Sequence, residues 1–228
     1  MLQAKVEAIF EGSSRMLSAE AIVRQQDRET RAWHQSAAGA AGTTTAPQSA
    51  AETDWLAAVS RQHRANFELW HIEDEARATG ATDAELAGVK RRVDQTNQRR
   101  NDLAEELDRA LLAWLEPKSL PNPAAALHSE TPGLMIDRLS ILSLKIYHTR
   151  EEAERTDAPP GHAQRNLDRL AILEEQRADL ACCLDGLWRE TLVGTRRFRL
   201  YRQLKMYNDP SLNPAIYRIQ AGAKSSGS

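Results

Sequence analysis

Hydrophobic residues along this chain recur with the 3.6-residue period of an α-helix, and no segment shows the two-residue alternation of a β-strand. A short helix is predicted over 1–10. Five longer segments carry the helical period, and they span about 18–34, 53–79, 82–114, 131–155 and 162–192. We therefore predict an all-α protein: a single-domain antiparallel helical bundle with a nearly all-round buried central helix.

Short-range signals mark several helix boundaries. Thr82 is followed three residues later by Glu85, which is the spacing of a capping box. Thr131 can cap a first turn, and Pro132 suits the first helical position because it has no N–H to donate. Gly194 is placed to end the last long helix. These residues support the boundaries that the hydrophobic period suggests.

Composition divides the chain into four parts. We predict N-terminal helices over 1–35, a flexible linker or loop over 36–52, the bundle domain over 53–220 and a disordered tail over 221–228. The linker prediction depends on the stretch SAAGAAGTTTAPQSAAE, which holds only small or polar residues and has no periodicity.

The segment 131–155 is apolar nearly all the way round, so other helices must bury it on most sides. It nevertheless carries Asp137, Arg138, Lys145 and His148 within about one quadrant, at 100° per residue. A central helix with one charged strip suggests a polar pocket but names no reaction. The sequence does not decide whether the protein is an enzyme.

Polar residues also interrupt the inner faces of the neighbouring helices near their midpoints. In an antiparallel bundle, mid-helix residues of different helices lie at similar heights, so we expect these side chains to meet. The expected group consists of Asn66, Trp70, Glu73, Asp74, Arg77, Asn97, Arg100, Asn101, Asp137, Arg138, Lys145 and Glu174. Two interpretations remain open: a water-filled cleft that binds a polar ligand, or an interhelical ion-pair lattice that fixes the register of the helices.

In the cleft interpretation, each residue type has a role. The arginines and the lysine hold an anionic group, the asparagines orient hydroxyl groups, and Trp70 stacks on a ring. An acid or base for any reaction is expected at Glu73, Asp137 or His148.

The start of the central helix offers a second place for an anion. Glu130, Thr131 and Gly133 surround its first free N–H groups, where the helix dipole favours negative charge. Gly133 would let a ligand approach the backbone closely; alternatively, it relieves crowding between helices.

Bulk properties argue against several functions. A formal net charge of −2 is not that of a generally basic nucleic-acid-binding protein. Cys182 and Cys183 are adjacent on a predicted helix and point in different directions, which favours reduced residues without redox chemistry. The N-terminus lacks the regions of a signal peptide, and no apolar run approaches the ~20 residues of a membrane span. We therefore predict a cytoplasmic bacterial protein.

No metal and no cofactor are predicted. Glu68 and His71 have the Glu-x-x-His spacing of helical di-iron sites, but such sites need a second pair and two further glutamates. No second pair exists in the sequence. The other histidines without metal-ligand spacing are interpreted as surface or satisfied core residues: His34, His63, His128 and His162.

The stretch Arg196–Lys205 interleaves basic and aromatic residues. It can contact phosphates while its aromatic rings stack on bases, or it can recognise an acidic partner protein. The alternative, which we favour, is an amphipathic helix that docks its aromatic side on the bundle and leaves its basic side in solvent.

Four motifs together resemble a bacterial family of unknown function. They lie in Asn66–Arg77 (NFxLWxxEDxAR), Asn97–Asp102 (NQxRND), Ser129–His148 (SETPGxxIDRLSILSLKIYH) and Lys205–Pro210 (KMYNDP), and the resemblance covers about 55–217. Members of that family resemble one another over a single helical domain. They are often encoded beside glycosyltransferases of cell-envelope polysaccharide synthesis, which implies a role in glycan assembly but no defined reaction.

Three hypotheses follow. In the first, the polar cleft binds an anionic small molecule, a sugar phosphate or nucleotide sugar. In the second, the protein is a non-enzymatic partner or scaffold of a glycosyltransferase, or self-assembles, through Arg196–Lys205. In the third, suggested only by Ile136–Leu139, it is an isomerase that resembles chorismate mutases.

Overall fold

The computed structural model of the chain describes residues 16–37, 50–77, 80–204 and 211–212, with the backbone alone at 37 and 50–53. Within these residues, five α-helices form one bundle: α1 (Ala19–Ala37), α2 (Ala50–Glu75), α3 (Asp83–Leu115), α4 (Pro132–Glu154) and α5 (His162–Leu192). The prediction of an all-α helical bundle is confirmed. The helix predicted over 1–10, most of the linker and the tail lie outside the described residues.

The capping signals are confirmed. The side chain of Thr82 accepts a hydrogen bond from the backbone N–H of Glu85 at 3.3 Å, and the Glu85 carboxylate accepts one from the Thr82 backbone at 2.8 Å. At the start of α4, Oγ1 of Thr131 accepts from the backbone N–H of Leu134 at 3.3 Å, and Pro132 is the first helical residue. These two helices begin where the sequence predicts.

The bounds of α2 differ from the prediction. The helix begins at Ala50 and ends at Glu75, whereas the hydrophobic period suggested about 53–79. Alanine has the highest helix propensity, so alanines extend the start of a helix without adding to its hydrophobic pattern.

The fourth helix is the centre of the bundle. It contacts each of the other four helices. Ten of its 23 residues are buried, including Met135, Ile136, Leu139, Leu144 and Ile146, and eight more are half-buried. The prediction of a nearly all-round buried central helix is therefore confirmed.

A common apolar core holds the five helices together. Each contributes a fully buried side chain: Ile22, Val59, Leu111, Leu139 and Leu184. Burying one such side chain stabilises the fold by roughly 1.5–3 kcal/mol. This core occupies one half of the bundle, at the starts of α1, α2 and α4 and the ends of α3 and α5. The other half holds buried polar side chains beside a few apolar ones such as Leu144 and Ile146.

Three ion pairs show that α2 and α3 run antiparallel. Glu75 pairs with Arg92 at 2.6 Å, Glu68 pairs with Arg99, and Arg61 pairs with Glu106 at 2.5 Å. Positions 75, 68 and 61 of α2 thus match positions 92, 99 and 106 of α3. Exposed pairs of this kind contribute little stability, but their constant seven-residue step records the register of the two helices.

One short strand pairing, which the sequence analysis did not predict, ties two connecting segments together. β1 (Ala126–Leu127) pairs in parallel with β2 (Arg196–Arg197). The guanidinium of Arg197 also donates to the carbonyl oxygen of Ala125 at 2.8 Å. The chain between α3 and α4 is thereby fixed to the chain that follows α5.

The amphipathic helix predicted over Arg196–Lys205 is wrong for its described part. Residues 198–204 follow β2 without a helix, because the pairing with β1 leads the backbone out of α5 in an extended conformation. One aspect of that prediction is confirmed, since the aromatic ring of Phe198 is buried in the core. Lys205 lies outside the described residues.

Gly133 lies where α4 crosses α3. A Cβ atom at this position would lie 2.2 Å from the backbone carbonyl oxygen of Ala104 and 2.9 Å from the side chain of Asp108. Only a residue without a side chain allows the two backbones to approach this closely. Relief of crowding therefore explains this glycine.

We predict that Gly133→Ala destabilises the protein by at least about 2 kcal/mol, because the added methyl group meets a backbone atom that cannot rotate away. Urea unfolding followed by circular dichroism measures the change. Gly186→Ala in α5 is the matched control: its Cβ has no neighbour within 4 Å among the described residues, and we expect a gain of roughly 0.5–1 kcal/mol. Equal effects of the two substitutions would contradict the packing argument.

Candidate functional site

Part of the predicted polar layer is present as a hydrogen-bond network between α1, α2 and α4, with His63 at its centre. Nε2 of this ring lies 3.0 Å from the carbonyl oxygen of Gln26 and 2.9 Å from Oγ1 of Thr30, and Nδ1 lies 2.7 Å from Oγ of Ser140. Because the Gln26 carbonyl can only accept, Nε2 carries the proton and Nδ1 accepts from the Ser140 hydroxyl. Burial lowers the pKa of His63 to about 4, so the ring is neutral near pH 7.

The other half of the network surrounds the Asp137 carboxylate on α4. Its Oδ1 accepts hydrogen bonds from the side-chain amides of Gln62 at 2.6 Å and Asn66 at 3.0 Å, and Nε of Arg100 lies 3.4 Å away. Asn66 also donates to Oγ of Ser140 at 2.9 Å, which joins the two halves. Burial raises the pKa of Asp137, while the Arg100 charge and the two amide donors oppose that shift.

This network is closed to solvent. His63, Gln62 and Ser140 are fully buried, and Asn66 and Asp137 are 3% and 6% exposed. A ligand cannot reach Asp137 without a change in helix packing, and the buried Ser140–His63 pair cannot meet a substrate. At this place the geometry favours the interpretation as an interhelical lattice, built mainly from neutral hydrogen-bond donors.

Four residues of the expected group lie elsewhere. Arg77 pairs with Glu73 and Asp74 at 3.4 and 3.5 Å, at the end of α2. Glu174 pairs with Arg150 at 2.8 Å, and both side chains are exposed. These residues do not converge on Asp137, because the end of α2 and the first half of α5 extend beyond the shared core.

Three further predicted residues lie on α2 and α3 and form no hydrogen bond to this network in the described part of the chain. Asn101 is buried on α3, and Asn97 is half-buried one turn earlier. Trp70 stacks on His148, with ring centroids 4.9 Å apart and an interplanar angle of 9°. Their roles in ligand binding stay predictions.

The N-terminus of α4 is already satisfied by an internal anion. Oδ1 of Asp108 accepts a hydrogen bond from the backbone N–H of Gly133 at 2.7 Å. Burial raises the pKa of Asp108 to about 6, against the lowering effect of hydrogen bonds from Thr131 and Gly133. Thr131 and Gly133 are both buried, so the carboxylate at this helix end belongs to the protein itself.

The remaining predicted cations line an open groove of about 720 Å³ between α4 and α5. Nη1 of Arg138 donates to both carboxylate oxygens of Glu130, at 2.8 and 2.9 Å. Lys145 is exposed and forms no ion pair with any residue that the structure describes. Met135 and Leu142 contribute to the apolar floor.

A third group of side chains was missed by the sequence analysis. His34 on α1, His71 on α2 and His148 on α4 bring one ring nitrogen each to within 4.8 Å of one another. We call these three residues the histidine cluster. No spacing motif exists for it, since the three positions lie far apart in the chain. The available signal was that each histidine lies towards the polar end of a long helix, which gains meaning only from the packing of the bundle.

Comparisons with known proteins add one finding. A model of a family described as a protein of unknown function (DUF4254) matches residues 56–200. No curated protein and no solved structure gives a significant match. Among the described helices, none combines the length and the apolar character that crossing a bilayer requires.

We predict that Asp108 makes the stability of the protein fall as the pH rises from about 4 to about 6. Its folded-state pKa of about 6 lies above the ordinary value of 3.8, so its contribution is fully present below about pH 4 and is lost as the pH rises through 6. A pKa shift of this size corresponds to a change of about 3 kcal/mol in the free energy of unfolding. In urea unfolding at pH 4 to 7, Asp108→Asn should remove this dependence, so the stability of the variant relative to wild type rises with pH. A constant difference between the two proteins would show that Asp108 ionises normally in the folded state.

Proposed function

The chain belongs to the DUF4254 family of proteins of unknown function, and we propose that it binds a sugar phosphate or nucleotide sugar in the groove between α4 and α5. The observation that carries the proposal is that Lys145 has no ion-pair partner among the described residues, in a groove whose other charged groups suit sugar hydroxyls. The predicted anionic ligand is thereby moved from the buried network around Asp137 to the adjacent face of α4, which faces α5.

The dimensions and lining of the groove support this proposal. Its volume of about 720 Å³ lies within the range of small-molecule sites, which are mostly apolar with a few oriented polar groups. Met135, Leu142 and Leu180 provide apolar surface against which the C–H groups of a sugar ring can pack. Arg138, Lys145 and Asp179 provide the polar groups.

The two cations of the groove, Arg138 and Lys145, differ in whether an acidic residue is paired with them. Arg138 is held by Glu130 through two hydrogen bonds, so it is oriented and partly neutralised. Lys145 has no such partner among the described residues. An incoming phosphate therefore gains its strongest new interaction at Lys145, as a charge-assisted hydrogen bond.

The carboxylates of Glu130 and Asp179 narrow the class of ligand. Both line the groove, and both repel a ligand that carries only negative charge. Carboxylates accept hydrogen bonds from hydroxyl groups, so a molecule that combines a phosphate with several hydroxyls fits better than inorganic phosphate. A place in glycan assembly agrees with this ligand class.

Docking of a glycosyltransferase through Arg196–Lys205 is less well supported by the geometry. Nε of Arg196 donates to Glu190 at 2.9 Å, and Arg197 donates to the carbonyl oxygen of Ala125. Two of the basic side chains are thus engaged within the protein. This interaction, and the isomerase hypothesis, stay predictions of the sequence.

We predict that Lys145→Ala weakens the binding of glucose 1-phosphate and of UDP-glucose by roughly 10- to 150-fold, the range expected for the loss of a charged hydrogen bond. Isothermal titration calorimetry measures both affinities. Uncharged glucose should bind weakly to both proteins, with no effect of the substitution.

Lys90→Ala is the matched control, because Lys90 is an exposed lysine on α3 that pairs with Asp94 outside the groove. It should bind both probes as the wild type does. The proposal fails if the wild type binds neither probe at millimolar concentration, or if Lys145→Ala and Lys90→Ala bind with equal affinity.

A further inference from the structure

We propose that the histidine cluster, His34, His71 and His148, binds one divalent transition-metal ion of the zinc class. The three imidazoles come from three different helices, and one ring nitrogen of each lies within 4.8 Å of the others. The site is distinct from the proposed sugar groove, since His148 faces α1 and α2 whereas Lys145 faces α5. The inference does not depend on the proposed function.

Two of the histidines are held by the backbone of their own helices. Nδ1 of His34 lies 2.7 Å from the carbonyl oxygen of Thr30, and Nδ1 of His71 lies 2.8 Å from that of Phe67. A carbonyl oxygen can only accept, so each Nδ1 carries the ring proton and each Nε2 keeps its lone pair. This is the tautomer that binds a metal through Nε2.

The third histidine is oriented by a carboxylate. Nδ1 of His148 lies 2.9 Å from Oε2 of Glu151, one turn further along α4. Metal-binding histidines commonly donate their second ring nitrogen to a carboxylate or a backbone carbonyl, which fixes the ring and raises its basicity. All three histidines of the cluster therefore have an acceptor at Nδ1. It is a backbone carbonyl oxygen for His34 and His71, and a carboxylate for His148.

In two of the three histidines, the ring nitrogen that is not held by the protein lacks a partner among the described residues. Nε2 of His34 and Nε2 of His148 are buried and form no hydrogen bond with any residue that the structure describes. By contrast, both ring nitrogens of the buried His63 are satisfied. A buried nitrogen lone pair without a donor is unfavourable, and a cation bound by both rings would supply what each nitrogen lacks.

Aromatic rings hold the imidazoles in place. Tyr147 stacks on His34 with centroids 4.3 Å apart, and Trp70 stacks on His148 at 4.9 Å. Nitrogens around a tetrahedral ion at 2.0–2.1 Å are roughly 3.3 Å apart, so nitrogens that lie within 4.8 Å of one another need to approach by at most about 1.5 Å. That movement is within the reach of side-chain rotation.

The ligand set indicates both the metal and its role. Imidazole nitrogens suit zinc, copper and nickel, whereas calcium and magnesium prefer oxygen ligands. Three protein ligands leave a fourth tetrahedral position for water or for a substrate atom, as in catalytic rather than structural zinc sites.

The test uses the full chain without a histidine tag, treated with a chelator and then titrated with Co²⁺ and with Zn²⁺. Cys182 and Cys183 are exposed thiols that can bind zinc on their own, so both are replaced by serine in every protein tested. We expect one ion per chain, with visible d–d absorption of tetrahedral Co²⁺, displacement of Co²⁺ by Zn²⁺ and a raised Tm. Magnesium should cause none of these changes.

Variants locate the ion. His34→Ala, His71→Ala and His148→Ala should each weaken Zn²⁺ binding by more than the 10- to 100-fold that loss of an orienting partner causes, and Glu151→Gln should weaken it within that range. His128→Ala is the control, since its ring bonds to the backbone of Glu130 away from the cluster. It should bind Zn²⁺ as tightly as the parent protein, in which Cys182 and Cys183 are replaced by serine and no histidine is changed.

Nitrogen NMR of the parent protein keeps the test decisive if a variant fails to fold. Zn²⁺ should shift the Nε2 resonances of the three cluster histidines and leave those of His63, His128 and His162 unchanged. The proposal is overturned if the folded parent binds no Zn²⁺ below millimolar concentration, if the three resonances stay in place, or if the folded cluster variants bind as tightly as His128→Ala.

Discussion

The neutral imidazole of His63 is the contact on which the position of α4 depends. It accepts from Ser140 on α4 and donates to the backbone of Gln26 on α1, so one ring joins three helices. Asn66 donates to the hydroxyl of Ser140, and that hydroxyl donates to the His63 ring, so each donor in the series meets an acceptor. Leaving one such buried group without a partner costs about 1–3 kcal/mol. A rotation or slide of α4 would break several of these bonds at once, so the network fixes the register of the helix as well as stabilising it.

That register determines what the rest of α4 presents to its neighbours. His148 follows Asp137 by eleven residues, which is three helical turns and about 16 Å along the axis, so both lie on the same face. The network that holds Asp137 against α2 therefore also directs His148 towards His71 and His34. Arg138 and Lys145 lie two turns apart on the adjacent face and line the groove with α5. One helix thus separates a histidine cluster from a polar groove.

The sequence predicts those features that depend on a single helix. The apolar period locates all five helices, Thr82 and Thr131 mark two of their starts, and the all-round apolar character of 131–155 identifies the buried one. Asp137 and Asn66 could be recognised as unusual because they interrupt apolar faces.

Features that depend on how helices meet were not predictable in this way. Helical period gives the face on which a residue lies but not the point where the neighbouring helix ends, so Glu73 and Arg77 were expected inside the bundle and lie on its surface. His34 and His148 come together only through packing, and the extended backbone after Arg196 is set by its pairing with Ala126.

The same network that fixes α4 also limits communication between its two faces. An effect of a groove ligand on the histidine cluster requires a movement of α4 that the ligand favours, and that movement is opposed both by the bonds to Asp137 and by the close contact of Gly133 with Ala104. In this fold α4 is a fixed frame between the groove and the histidine cluster, so each of the two proposed sites would have to bind its ligand with local side-chain movements alone.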